Sequence, residues 1–145
     1  MSKELFFSAK LDEPASGPFL GIFSTWEELF RNFSCSIGSR SAGLLSQLAF
    51  FFILFPEGNA NFLHKNQVQL SRKSGVAYIQ RHVDYQQFLS SDEAGRLALL
   101  ARALLEGVLE LPKARGLKRF DARGLHEALR SFFVSKGVME LEENQ

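Results

Sequence analysis

Eight consecutive apolar residues, Leu48-Ala49-Phe50-Phe51-Phe52-Ile53-Leu54-Phe55, stop at Pro56, and no other stretch restricts the fold as tightly. The run is far shorter than the roughly 20 residues a membrane helix needs, so it is assigned to a core. Its aromatic content and the Pro56-Glu57-Gly58-Asn59 stop favour a long central strand over Leu44 to Phe55; a buried helix is the rival reading. Alternation sends Phe50, Phe52 and Leu54 to one face and Phe51, Ile53 and Phe55 to the other, so both faces must be covered. A chain of 145 residues, 46% hydrophobic and 23% charged, has the material for this. A domain of that size withdraws about 70% of its unfolded surface from water without needing a disulfide or a structural metal. The single Cys35 fits: it has no cysteine to bond with and reads as a buried or idle thiol on a helix face.

The remaining elements follow from periodicity and punctuation. Glu4 to Leu11 alternates, with Leu5, Phe7, Ala9 and Leu11 on one side, which predicts a half-buried strand. Ser24 and Glu27 form a capping box ahead of the stripe Trp26, Leu29, Phe30, Phe33 and Ile37, a helix that Gly38 stops. Phe62 to Leu70 and Val76 to Val83 are predicted as strands of a hairpin turning through Ser71 to Gly75. A helix capped by Asp84 or Ser90 is predicted to run to about Leu111 with Leu97, Leu100, Ala101, Leu104, Val108 and Leu111 as its apolar stripe, ahead of Pro112. Asp121 caps the last helix, whose apolar face is Leu125, Leu129, Phe132 and Phe133; Gly137 closes it, and the acidic tail 138–145 is predicted to fray. The order β-α-β-β-β-α-α implies an α+β fold in a single domain, 1–145: a largely antiparallel sheet of about four strands with three helices.

A search for chemistry finds no constellation. His64, His82 and His126 are far apart in sequence and make no metal-ligand spacing, and Cys35 has nothing local to lower its pKa. No glycine-rich phosphate loop follows any strand, and the adjacent carboxylates Asp12-Glu13 and Asp92-Glu93 read as turn or helix-start charge. No catalytic residue, metal or cofactor is therefore expected, and the chain reads as a protein that works by binding. Met1-Ser2-Lys3-Glu4-Leu5 lacks the apolar core of a signal peptide, which predicts a cytoplasmic location with no membrane partner.

Net charge is only +1, which argues against a strongly basic nucleic-acid binder. The local distribution is more informative. Lys113, Arg115, Lys118, Arg119 and Arg123 cluster with Asp121 alone opposing them, and Arg72 and Lys73 sit on the predicted hairpin turn. Ordinary solvated charge, complementing a helix C-terminus, is the plain explanation; a surface for phosphates or for a carboxylate-rich protein is the functional one.

Three stretches resemble the immunity protein 44 family, among the small bacterial proteins that protect a cell from polymorphic or contact-dependent growth inhibition toxins. They are Leu5-Phe6-Phe7-Ser8-Ala9-Lys10-Leu11, the passage Arg72 to Leu111 containing Val83-Asp84-Tyr85-Gln86-Gln87-Phe88, and Phe120-Asp121 with the helix after it. The resemblance implies a cytoplasmic protein that binds the C-terminal domain of a cognate toxin, often a nuclease, and blocks it stoichiometrically by occluding its active site. No catalytic residue carries over. On that reading Arg72, Lys73, Lys113, Arg115, Lys118 and Arg119 are the candidate partner-binding residues, steering association with acidic groups on the toxin. The alternatives are a small nucleic-acid-binding regulator using the basic 113–123 cluster, an enzyme in which His64, His82 or Cys35 meets a carboxylate, and a homodimer through the second face of the Leu48 to Phe55 strand.

Overall fold

The computed structural model of the chain describes residues 2–12, 28, 35–38, 45–53, 66–71 and 73–139. Five strands, β1 (Ser2–Asp12), β2 (Cys35–Gly38), β3 (Gln47–Ile53), β4 (Gln67–Ser71) and β5 (Val76–His82), form a sheet in the order β2-β1-β3-β5-β4. Helices α1 (Tyr85–Ser90) and α2 (Glu93–Leu109), a 3-10 turn at Leu111–Lys113 and helix α3 (Ala122–Ser135) follow. The α+β expectation holds. So does the central strand: β3 lies in the middle of the sheet, with Leu48, Phe50 and Phe52 fully buried on one face and Ala49 and Ile53 buried on the other.

The sheet is mixed, not largely antiparallel. β3 runs parallel to both β1 and β5, and antiparallel pairing is confined to the outer pairs β1–β2 and β4–β5. Strands that follow one another in sequence read as consecutive hairpins, but parallel neighbours need only a connection of a dozen or more residues. Those between β1 and β3 and between β3 and β5 are that long, and each carries an outer strand within it. An unbroken apolar run is also what a parallel strand covered on both faces requires.

The fifth strand, β2, replaces the end of an expected helix. Cys35–Gly38 pairs with β1, Cys35 opposite Leu5 and Gly38 opposite Ser2, so Cys35 is not on a helix face. Serine and glycine propagate a helix poorly, and the open edge of β1 offers their backbone a ladder instead. The Ser24 capping box and the rest of that stripe lie outside the described residues, as do positions 62–65 of the predicted first hairpin strand and the predicted extension of β3 beyond Ile53. The hairpin itself forms as expected: Gly75 turns at φ 71° and donates its N–H to the Ser71 carbonyl at 2.8 Å.

The expected single helix from Asp84 or Ser90 is two. Asp84 caps α1 by accepting the Gln87 N–H at 2.9 Å, and Asp92, not Ser90, caps α2 by accepting the Gly95 N–H at 2.8 Å. Between them the Ser90 and Ser91 hydroxyls donate to the Gln87 carbonyl, diverting a backbone acceptor that a continuing helix would use. Arg96 then ties the pieces together: its Nε and Nη2 donate to the Phe88 and Leu89 carbonyls at 2.8 and 2.9 Å, with the guanidinium over the Phe88 ring. After α3, Val138 donates to the Phe133 carbonyl at 2.9 Å, and Val138 and Met139 pack against the core. Residues 140–145, the rest of the acidic tail, are outside the described residues.

The helices cover one face of the sheet. Leu5, Leu48, Phe50, Phe52, Ala77 and Ile79 form a buried cluster there with Leu100, Leu104 and Val108 of α2 and Leu125, Leu129 and Phe133 of α3. α2 comes close to β5 at Gly107, where a Cβ would lie 2.6 Å from Ile79 Cγ2. Arg81 runs its stem along the same glycine and reaches Glu106 at 2.8 Å.

Candidate functional site

The connector from α2 to α3 is built on a repeat of three. Lys113 donates its N–H to the Glu110 carbonyl, Ala114 to Leu111, Leu117 to Ala114 and Phe120 to Leu117, all at 3.0–3.1 Å. Bonds that close over three residues stack side chains three apart on one side. Leu111, Ala114, Leu117 and Phe120 are buried accordingly. The positions between them face solvent, and these include Lys113, Arg115, Lys118 and Arg119. Gly116, at φ 95°, lets the chain turn between the second and third anchors, and Asp121 starts α3 by accepting the Gly124 N–H at 3.0 Å.

Between Glu110 and Arg123 five cations face two carboxylates. Glu110 pairs with Lys113 one helical turn away, but the Lys113 side chain is largely solvated, so the pair offsets little of the local field. Four of the six predicted partner-binding residues, Lys113, Arg115, Lys118 and Arg119, therefore share one ordered segment. Lys73 does not join them. It sits on the β4–β5 turn, whose Gly75 carbonyl is held by the Ser46 and Gln47 amides, whereas Lys113 lies beside Gln67 at the other end of β4, roughly 13 Å along the strand. Arg72 is outside the described residues.

Among the described residues the histidine candidates do not converge. His82 lies on β5 with its backbone N–H donated to Asn66 Oδ1 at 2.7 Å, His126 lies on α3 beside Glu127, and His64 is outside the described residues. Among the described residues no group of three or more histidine, cysteine or acidic side chains could hold a metal ion, and no helix is long and apolar enough to cross a membrane.

Two features are not apparent from sequence patterning. One is the period-three signal Leu111, Ala114, Leu117, Phe120, which stands in the sequence but falls between the helical and strand periods that patterning looks for. The other is a groove of about 310 Å³ lined by Asn66, Gln67, Val68, Glu110 and Lys113, where β4 meets the start of the connector. Nothing in local patterning brings residues so distant in sequence together.

The match to a known family runs from the third residue of β1 to the end of α3. The chain is one of the immunity proteins: the family model described as Immunity protein 44 matches residues 4–135. It belongs to the immunity protein 44 family. No curated protein and no solved structure gives a match.

Proposed function

We propose that the protein binds the C-terminal domain of a cognate bacterial toxin in the cytoplasm and neutralises it stoichiometrically, occluding its active site. Membership of the immunity protein 44 family carries this reading. The basic connector supports the choice of surface. Its cations project from a backbone already anchored by four buried side chains, so little conformational entropy is lost when a partner engages them. Toxins that cleave nucleic acid hold metal ions or general bases with carboxylates, and a dense, solvated row of Lys113, Arg115, Lys118 and Arg119 complements such a cleft. Lys73, with Arg72 beside it in sequence, is a second and separate cationic point.

The test is calorimetric titration of the protein with the toxin domain encoded in the adjacent open reading frame, with protection of toxin-expressing cells measured in parallel. Tight one-to-one binding is expected. Reversing Lys113, Arg115, Lys118 and Arg119 together to glutamate should weaken it by about two orders of magnitude, mostly through slower and less salt-dependent association. Absence of binding by the native protein would overturn the immunity reading. Unchanged affinity in the reversed protein would move the interface off the connector. The nucleic-acid alternative has a distinct signature, a steep loss of nucleic-acid binding with added salt in the absence of any toxin.

A further inference from the structure

The sheet ends at β4, and among the described residues no strand pairs with its outer side. The hydrogen-bond register says which of its backbone groups face outward. Val83 donates to the Ile53 carbonyl, so on β5 the residues Ala77, Ile79 and Arg81 alternate with it in facing β3. Val76, Tyr78 and Gln80 then face β4, in agreement with the His82 N–H, which is taken by the Asn66 side chain on that side. Their partners Ser71, Gln69 and Gln67 turn their backbone groups inward. The amides and carbonyls of Val68 and Leu70 are left facing outward, two donors and two acceptors in the alternating pattern of a sheet edge.

Exposed edges are usually blunted by proline, a bulge or a charge along the strand. Gln67-Val68-Gln69-Leu70-Ser71 has none of these; Lys65, Arg72 and Lys73 stand beyond its two ends. The groove opens on this strand, with Gln67 and Val68 on one wall and Glu110 and Lys113 on the other. A backbone edge beside a side-chain pocket is the arrangement by which proteins capture extended peptides: the edge supplies hydrogen bonds and the pocket selects the residue. Lys113 is also the first cation of the connector, so the groove beside the edge opens onto the start of the charged row.

We infer that β4 is a docking edge for an extended segment of the toxin, which adds a sixth strand through Val68 and Leu70 and places a polar or charged side chain in the groove against Glu110 and Lys113. The inference rests on the immunity reading and specifies its interface. A second copy of this chain is the poorer occupant: two five-residue strands paired edge to edge bury far less than the roughly 800 Å² per partner of a stable interface. A toxin domain spanning strand, groove and connector can reach it.

Amide hydrogen exchange on the native protein, alone and saturated with the toxin domain, tests this directly. The Val68 and Leu70 amides should exchange rapidly in the free protein and slow by about a hundredfold or more in the complex, because only the bound segment can accept from them. Val68→Pro removes one outward donor without touching the β4–β5 ladder and should lower affinity by about tenfold or more, with the unfolding midpoint showing that the fold is intact. If the toxin binds tightly while both amides keep their free exchange rates, the docking edge is wrong and the immunity reading stands. If they are already protected in the free protein and sedimentation shows a dimer, the edge belongs to a second copy and the inference fails. If no toxin binds at all, the failure is that of the immunity reading.

Discussion

The two faces of this sheet are written by alternate residues of the same strands, yet they are different materials. On the helix-covered face, Leu48, Phe50, Phe52, Ala77 and Ile79 are sealed by α2 and α3, tightly enough at Gly107 that no side chain fits there. On the other, Gln47 reaches Ser8 at 3.1 Å, Phe51 stacks with Tyr78 at 6.1 Å between centroids, and Phe6 and Tyr78 are 61% and 39% exposed. Both faces hold aromatics, so aromatic content does not distinguish them. Among the described residues, α2 and α3 supply the apolar stripes that seal the first face, whereas the second carries buried Ala49 and Ile53 beside exposed Phe6.

Three substitutions sharpen or break that contrast, each measured by chemical denaturation with a linear extrapolation to water. Phe50→Ala, at the centre of the covered face, should lose about 4 kcal/mol by opening a cavity that the surrounding helices cannot close. Gly107→Ala should lose about 2 kcal/mol, because its new methyl must push Ile79 and α2 apart. Phe6→Ser, on the opposite face, should stay within about 0.5 kcal/mol of the native protein. A loss at Phe6 equal to that at Gly107 would mean that the second face contributes to stability on the same scale as the first.

Much of the frame was legible in the sequence, for reasons visible in particular residues. The β3 run read as a central strand because its phenylalanines and the Pro56-Glu57-Gly58-Asn59 stop weigh against a buried helix, and α2 and α3 read from their stripes and acidic caps. Strand direction was not legible. Whether β3 joins β1 in parallel depends on where a long connection returns, and no residue within either strand records that. β2 was hidden because Ile37 also fits the helical spacing of the stripe before it. In the candidate site, the cations were plain in the sequence and their common support was not. Four anchors three residues apart fit neither an amphipathic helix nor a strand, so Lys113, Arg115, Lys118 and Arg119 read only as a cluster of charge. Lys73 and Arg72 looked equivalent to them because sequence carries charge without position, and the hairpin holds Lys73 at the far end of β4.

The anchored connector treats two kinds of sequence change very differently. Replacing an outward residue at 113, 115, 118 or 119 alters what the surface presents and leaves Leu111, Ala114, Leu117 and Phe120 in their sockets. Adding or removing a single residue shifts every later anchor out of phase, so that a charged side chain is driven toward the core and an apolar one toward water. The segment therefore behaves as a fixed-length cassette: its spelling can drift toward a new partner while its length is held by the core beneath it.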